Sequence, residues 1–347
     1  MKTTIKALLV FFAFAFFSCQ KNDVIQPSTD LSAPQLKSAT IAVNDIVVES
    51  VSEEANYETY FYGEYEHILR QLSREKGKNS NLMEGQGNMH YMNGQAPIVS
   101  IDNASGYPMK ITIDYGKSTE TQHGMKISGK VVIDISGPKG TDGSTRKVTY
   151  IDCKIDLIGI AGTSTETFSG NNTTTRKTTM VSEVTFTLAD GTVINRAGND
   201  VKEWLKGLTT PLDRSDDMIQ ITGTVNVKSS TGDNYSRVIT VPLIRLGDCN
   251  NPVQGTVAYS KNGSMIATLD YGTGVCDNLA NLTTNGATIE IVLKDHGMPK
   301  AMTDGQHMGG NGGMGGHGST GGMNGNGGMG GNGSTGGMNG NGGMGGH

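Results

Sequence analysis

The chain has 347 residues, with 28 Lys and Arg against 33 Asp and Glu, a formal net charge of −5, only 18% charged residues and 50 glycines. That balance excludes a basic nucleic-acid surface and a chain held unfolded by its own charge. One Trp and seven His are a thin supply of groups for acid, base or metal chemistry, so the chain is read as non-catalytic, with no resident cofactor.

Residues 1–18 read as a lipoprotein signal peptide. Lys2 and Lys6 precede an unbroken apolar run, residues 7–17 (ALLVFFAFAFF), and Ser18 stands before Cys19. A run of that length is too short to span ~30 Å of hydrocarbon as a helix, but it fits the apolar segment of a secretory signal. A small residue directly before a Cys at the end of such a run resembles the lipobox of bacterial lipoproteins. Phe16 where Leu is usual is similar to lipoproteins of the Bacteroidota. The resemblance implies that Cys19 becomes the mature N-terminus and carries palmitate-type acyl chains. At ~0.8 kcal/mol per buried CH₂, two or more chains give stable anchoring without a transmembrane helix. Gln20 in place of Asp implies, by the same analogy, sorting to the outer membrane, with its periplasmic and cell-surface faces both open. The partners expected are membrane lipid through the anchor, and other envelope proteins or glycans. Residues 19–50 hold Pro27 and Pro34 and read as a polar tether.

Residues 51–95 are predicted to form an N-terminal helix and a loop. Phe61, Tyr65, Ile68, Leu69 and Leu72 recur at helical spacing within residues 52–75. Glu53 and Glu54 open this stretch, Arg70 and Arg74 lie near its end, and Gly77 follows, as helix-dipole and capping rules prefer. Its apolar stripe is expected to dock on the rest of the domain. A second, short helix is predicted over residues 200–206, bringing Trp204 and Leu205 onto the core.

Residues 96–297 read as an all-β domain. In residues 149–157 (TYIDCKIDL), Ile151, Cys153, Ile155 and Leu157 alternate with Asp152, Lys154 and Asp156, which predicts one buried and one wet face. Met180, Val184, Phe186 and Leu188 repeat the pattern before Asp190-Gly191, and Ile219, Ile221, Val225 and Val227 repeat it before residues 231–234. With those four residues as a loop, Val227 is expected to oppose Val238, Ile221 to oppose Ile244, and Ile219 to oppose Leu246. Turn-linked alternating strands predict a mainly β fold: an antiparallel β-sandwich or an open half-barrel sheet, with one N-terminal helix.

Asn262-Gly263 is a preferred two-residue hairpin loop. Pairing residues symmetrically about it brings Cys249 opposite Cys276, which in an oxidising compartment predicts a disulfide, while the inward-facing Cys153 stays reduced. Met109-Lys-Ile-Thr-Ile-Asp-Tyr-Gly116 is echoed by Met265-Ile-Ala-Thr-Leu-Asp-Tyr-Gly272. Asp114 and Asp270, at strand ends before Tyr-Gly, read as turn-forming or solvent-facing residues. Tyr115-Gly-Lys-Ser-Thr119 imitates the end of a P-loop, but Ile111 stands where the first Gly belongs. Residues 213–217, acidic but lacking the Gly turn and distal Glu of a calcium loop, read as a solvated connection.

Residues 107–116, Asp217-Met-Ile-Gln-Ile-Thr-Gly223 and Leu269-Asp-Tyr-Gly-Thr-Gly-Val-Cys-Asp-Asn278, closed by Asn285-Gly286 and Ile289-Glu-Ile291, resemble a family of Bacteroidota lipoproteins marked by such DYG and CDN motifs. The resemblance covers residues 53–294 and implies no particular activity.

Residues 298–347 read as a disordered Gly-, Met- and Asn-rich repeat tail. Residues 318–332 recur at 333–347 with one change, Asn332 against His347. Residues 309–347, without aliphatic residues other than Met, cannot offset the entropy of ordering their backbone, roughly 1–2 kcal/mol per residue. Thioether and imidazole groups suit Cu(I), so His296, Met298, His307 and Met308 are candidate ligands for periplasmic copper binding, against a plain spacer. The leading expectation is a non-catalytic envelope lipoprotein. A surface glycan- or ligand-binding module is the alternative, and would need an exposed aromatic platform.

Overall fold

A computed structural model describes residues 31–64, 66–76, 96–121, 124–210 and 215–293. The signal peptide, Cys19, His296, Met298, His307, Met308 and the repeat tail lie outside the described residues. The chain divides into Met1–Thr303 and Asp304–His347, and the second of these is wholly outside them.

Two helices come first, α1 (Ala33–Glu64) and α2 (Glu66–Lys76). Thirteen strands follow: β1 (Ile98–Ile101), β2 (Met109–Glu120), β3 (Lys126–Ile135), β4 (Thr145–Ile155), β5 (Ile158–Gly170), β6 (Arg176–Thr187), β7 (Val193–Lys206), β8 (Met218–Ser229), β9 (Tyr235–Leu246), β10 (Gln254–Lys261), β11 (Ser264–Thr273), β12 (Leu279–Thr284) and β13 (Ala287–Val292). They form one antiparallel sheet in which each strand pairs with its neighbours in sequence, and β1 does not meet β13. Of the two architectures expected, the open sheet is therefore the one formed. The turns explain the meander: Asn262-Gly263 and Asn285-Gly286 both take positive φ, the conformation that two-residue hairpin loops require.

The sheet curls around α1. Glu58 on the helix accepts a hydrogen bond from Tyr115 of β2, Glu49 one from Arg196 of β7, and the main chain at Gln35 one from Thr284 of β12. From Ser38 to Gly63, all but Thr40 are buried or half-buried. Val48 and Tyr62 are fully enclosed, with Ile111, Ile133, Leu269 and Leu282 among the sheet residues of the same core.

Several expectations give way. Residues 33–50, read as tether, belong to α1, which starts well before residue 52. The start has the return half of a capping box: the main-chain N–H of Ser32 donates to Gln35 Oε1 at 2.9 Å, and the Ser32 hydroxyl donates to the same oxygen at 2.7 Å. Pro34 sits in the first turn, where its missing N–H is harmless. Because buried positions fall nearly all round the helix, it shows no broad polar face and no amphipathic period to read.

Residues 200–206 are not helical but the end of β7, paired on both sides, with Asp200 opposite Met180 and Gly223. In a strand, adjacent residues point to opposite faces. Trp204 is accordingly buried and Leu205 is 45% exposed.

On β4 the expected common face breaks at a β-bulge. Val148 and Tyr150 point inward, Asp152 takes φ 48°, and Cys153 and Ile155 then point inward, leaving Ile151 43% and Leu157 63% exposed. Gly129 on β3 allows this, since a Cβ there would lie 2.1 Å from the Asp152 carbonyl oxygen. A bulge shifts the alternation by one residue, so a single period cannot describe the strand.

The β8–β9 hairpin is also out of the expected register. Met218 pairs with Leu246, Ile221 with Leu243 and Val227 with Tyr235, with a slip between Ile221 and Thr224. Residues 229–234 close on themselves, with Gly232 N–H donating to the Ser229 carbonyl and Ser229 N–H to Asn234 Oδ1, a turn tighter than a four-residue loop with symmetric pairing.

The last hairpin starts as expected, with Lys261 opposite Ser264 and Ser260 opposite Met265, and then slips, with Tyr259 opposite Ala267. The cysteines lie beyond the paired ladder, yet Cys249 and Cys276 are bonded, their Cα atoms 5.6 Å apart. Cys153 is free and buried, and burial, followed by the charge of Glu58, pushes its thiol up to about 12. Non-reducing peptide mapping should recover Cys249 joined to Cys276, with Cys153 alkylated only after denaturation. Replacing both bonded cysteines by Ser should lower unfolding stability by about 3 kcal/mol in urea titration, the contribution expected from a loop of 27 residues.

Candidate functional site

The helix turns a row of carboxylates toward the middle of the sheet. Asp45, Glu49 and Glu53 stand four residues apart and so share one face. Opposite them, β7 supplies Arg196 and β9 supplies Arg237 and Arg245. Arg196 Nη2 donates to Glu49 Oε2 at 2.7 Å and lies 3.8 Å from Asp45 Oδ1. Arg237 Nε is 3.5 Å from Asp45 Oδ2. Arg245 Nη1 donates to Glu53 Oε2 at 2.9 Å, and Tyr235 Oη donates to Asp45 Oδ1 at 3.0 Å. A second acidic strip faces β2 and the turn after it, with Tyr115 Oη donating to Glu58 Oε2 at 3.0 Å and Thr121 Oγ1 to Glu54 Oε1 at 3.2 Å.

The arginines were hidden by register. The expected pairing turned Val238, Ile244 and Leu246 inward; the actual inward row of β9 is Tyr235, Arg237, Ile239, Leu243 and Arg245. A slip of one residue exchanges every side chain between the two faces, and here it moves two arginines from solvent to the interior.

Their fields order the charges. Burial pushes the Glu49 carboxyl up, but Arg237, Arg196 and Arg245 together outweigh it and hold it down at about 2. Glu53 is likewise held below its ordinary range, Arg245 overcoming burial. Asp200 on β7 goes the other way: burial, and then the charge of Glu49, raise it to about 6, and its Oδ1 is enclosed without a hydrogen-bond partner. Tyr271 is pushed up to about 12 by burial, so it stays a neutral phenol.

Beside this ladder lies a row of cavities. A cavity of about 110 Å³ is bounded by Asp45, Glu49, Arg196, Asp200, Arg237 and Tyr271. A neighbouring one of about 160 Å³ shares Glu53, Asn56, Met180, Lys202 and Arg245 with it, and adds Tyr57, Tyr60 and Trp204. A third, of about 50 Å³, shares Tyr60, Arg146, Glu166 and Trp204 with the second and adds Lys139 and Arg176. The three cavities adjoin along the helix and together form the recess considered below, charged at the Asp45 end and aromatic and basic at the Tyr60 end. Gly247 and Asn250 close the second cavity, and Asn251 and Pro252 the first, so the loop pinned by Cys249 forms part of the wall.

The residues singled out in the sequence stand elsewhere. Asp114 and Asp270 lie on the outer face, each accepting a hydrogen bond from the glycine two residues on, Gly116 at 3.0 Å and Gly272 at 2.9 Å, as turn-forming residues do. The tyrosines between them, Tyr115 and Tyr271, both point inward. Tyr115 to Thr119 continue β2, so no P-loop geometry arises. Asp217 accepts from Trp204 Nε1 at 3.3 Å, and Asp216 from Thr210 Oγ1 at 2.6 Å. Among the described residues, no group of three or more His, Cys, Asp or Glu is placed to hold a metal ion. The aromatic side chains near Trp204 line a recess, not the exposed platform expected of a glycan module.

Asp45 is the most enclosed acid of the ladder, 1% exposed. Asp45→Asn leaves Arg196 and Arg237 short of a counter-charge and should destabilise the fold by about 3–5 kcal/mol, read from urea unfolding. The pH dependence has two parts. The folded value of Glu49 lies below its ordinary 4.5, so its contribution is present above pH 4.5 and is lost as pH falls toward about 2. That of Asp200 lies above its ordinary 3.8, so its contribution is present below pH 3.8 and is lost as pH rises through about 6. Asp200→Asn should therefore melt above the parent protein at pH 7, with the difference vanishing below pH 4; a variant that melts lower at pH 7 refutes the assignment. No protein-family profile, curated protein or solved structure matches the chain.

Proposed function

We propose that this chain is a non-catalytic envelope lipoprotein, held at the outer membrane by acylated Cys19, whose domain binds a small ligand in the recess beside α1. The anchor reading is supported by the apolar run of residues 7–17 ending in Ser18-Cys19. The observation that carries the binding reading is the row of adjoining cavities between helix and sheet. A close-packed interior would leave few voids larger than a water, whereas here three adjoining cavities share polar and aromatic walls at the surface between helix and sheet. Small-molecule sites are concave and combine apolar walls with a few placed polar groups. Glu49, Glu53, Arg196 and Arg245 are locked in opposite-charge pairs at 2.7–2.9 Å, which suits fixed walls of a binding site more than groups that must give and take protons.

Two measurements test the proposal. Cys19→Ala should leave an unprocessed or soluble protein on fractionation, and mass spectrometry should find acyl chains on the N-terminal peptide of the parent alone. Normal processing and membrane retention of the variant defeat the anchor. For binding, the single tryptophan of the chain, Trp204, lines the recess. A screen of neutral and charged sugars by its fluorescence should give at least one saturable response; none at all defeats the binding reading.

A further inference from the structure

We propose that the Tyr60 end of the recess binds one sugar residue carrying an acidic group, a uronate carboxylate or a sulfate ester, with Arg146 and Arg176 holding the anion; this rests on the ligand-binding reading above. Both guanidinium groups are placed as if waiting for an acceptor. Arg176 stands over the face of Trp204, its central carbon 3.9 Å from the ring centroid, and among the described residues it has no carboxylate within ion-pair distance. Its Nε is buried without a hydrogen-bond partner. Stacking on an aromatic face fixes the plane of a guanidinium and leaves its N–H edge for a two-pronged contact with a carboxylate or sulfate. Arg146 stands by the second aromatic wall. Its guanidinium lies 5.8 Å from the Tyr60 ring, its nearest carboxylate, Glu166, is 3.9 Å away, and its Nε too is buried without a partner.

The helix makes room for it. Gly63 lies within α1, where glycine weakens a helix relative to alanine. A Cβ there would stand 2.3 Å from Arg146 Nη2, so only glycine lets the guanidinium rest against the helix backbone. Lys139, 5.2 Å from the Tyr60 ring, adds a third positive charge.

The remaining wall is that of a hydroxyl-binding site. Asn56, Thr59, Ser164 and Asn250 line the 160 Å³ cavity, and Ser144 and Thr178 the 50 Å³ one, a mixture of donors and acceptors that matches sugar hydroxyls. The combined space is below the usual 300–1,000 Å³ of sites for larger ligands, which limits the occupant to about one ring.

The test is a Trp204 fluorescence titration of the full-length protein in detergent with glucuronate, glucose 6-sulfate, glucose, sodium acetate and sodium sulfate. The expected result is saturable binding of glucuronate or glucose 6-sulfate at least tenfold tighter than glucose or either free anion, weakening with added salt; the tighter of the two acids names the group. Arg176→Gln and Arg146→Gln should each weaken that binding tenfold or more, with Arg146→Lys retaining more of it than Arg146→Gln, and thermal melts confirming that the variants fold. Glucose binding as tightly as the acidic sugars overturns the anionic specificity while the ligand-binding reading stands. Free sulfate or acetate binding as tightly overturns the sugar. Folded arginine variants that bind as the parent does overturn the assigned residues, and a protein that binds no sugar at all overturns both readings.

Discussion

A carboxylate moved from water into a protein interior must find a cation or a set of hydrogen-bond donors, because its desolvation otherwise exceeds what folding can offset. Helix α1 carries Asp45, Glu49, Glu53, Glu54 and Glu58 into the enclosure of a sheet, and the arrangement around them follows from that one demand. Arg196 and Arg237 meet Asp45 and Glu49, Arg245 meets Glu53, and Tyr115 and Thr121 meet the remaining pair. Two strips on different faces of the same helix, answered by β7 and β9 on one side and β2 on the other, fix both its rotation and its position along the axis. Apolar residues of matching shape would hold a helix at least as firmly. The role argued for the ladder is therefore specificity: a helix shifted by one residue would leave a buried charge unanswered.

The same ladder explains why there is space. Aliphatic side chains close up to crystal-like density, but a guanidinium held at 2.7–2.9 Å from a carboxylate cannot move sideways to fill a neighbouring gap. The β-bulges add to this, since each re-aims the side chains after it. Arg196, Arg245 and Arg146 all keep an Nε with no acceptor, and Asp200 keeps an oxygen with no donor, along the walls of the recess. Buried polar groups are nearly always paired, so unpaired atoms concentrated in residues that line these cavities mark the places where close packing gives way. The disulfide fits that explanation, because the loop it pins is wall and not core.

Much of the fold was legible in residue pattern, and the exceptions are physical. The inward faces of β6 and β8, the turns at Asp190-Gly191 and Asn262-Gly263, and the pairing of Cys249 with Cys276 all rest on short-range geometry that a sequence carries directly. Register over a longer span does not. The bulge at Asp152 depends on Gly129, 23 positions earlier, and the slip in β8–β9 lies beside Gly223, which faces Asp200. Alternation alone could not have revealed either. The candidate site was lost for this reason: Arg237 and Arg245 alternate with Val238 and Ile244, and both rows are chemically plausible as an inner face until the acids of α1 are known to lie opposite. Ser32-Ala-Pro-Gln35 was a readable capping box, obscured by the weight given to Pro34 as a mark of tether. What it begins, a helix with acids on two faces and aliphatic residues between, has no amphipathic signature because charged and apolar residues alike are turned to the sheet.

An open sheet leaves two strands with unpaired edges, the usual route to unwanted pairing between chains. The edge strands here are short, four residues in β1 and six in β13, against twelve to fourteen in β5 to β9. On the β1 side, α2 adds a cover: Arg70 donates to the carbonyls of Ala104 and Gly106, stacks 4.2 Å from the centroid of Tyr107 and pairs with Glu66, to which Tyr107 also donates. That clasp ties the second helix to the β1–β2 connection. On the other side, β13 places Glu290 outward, a charge on the exposed edge. The sheet can therefore stay open without closing into a barrel, and an open sheet is what permits a charged helix at its centre: a closed barrel of this strand number would surround the helix completely and leave the recess no way out to solvent.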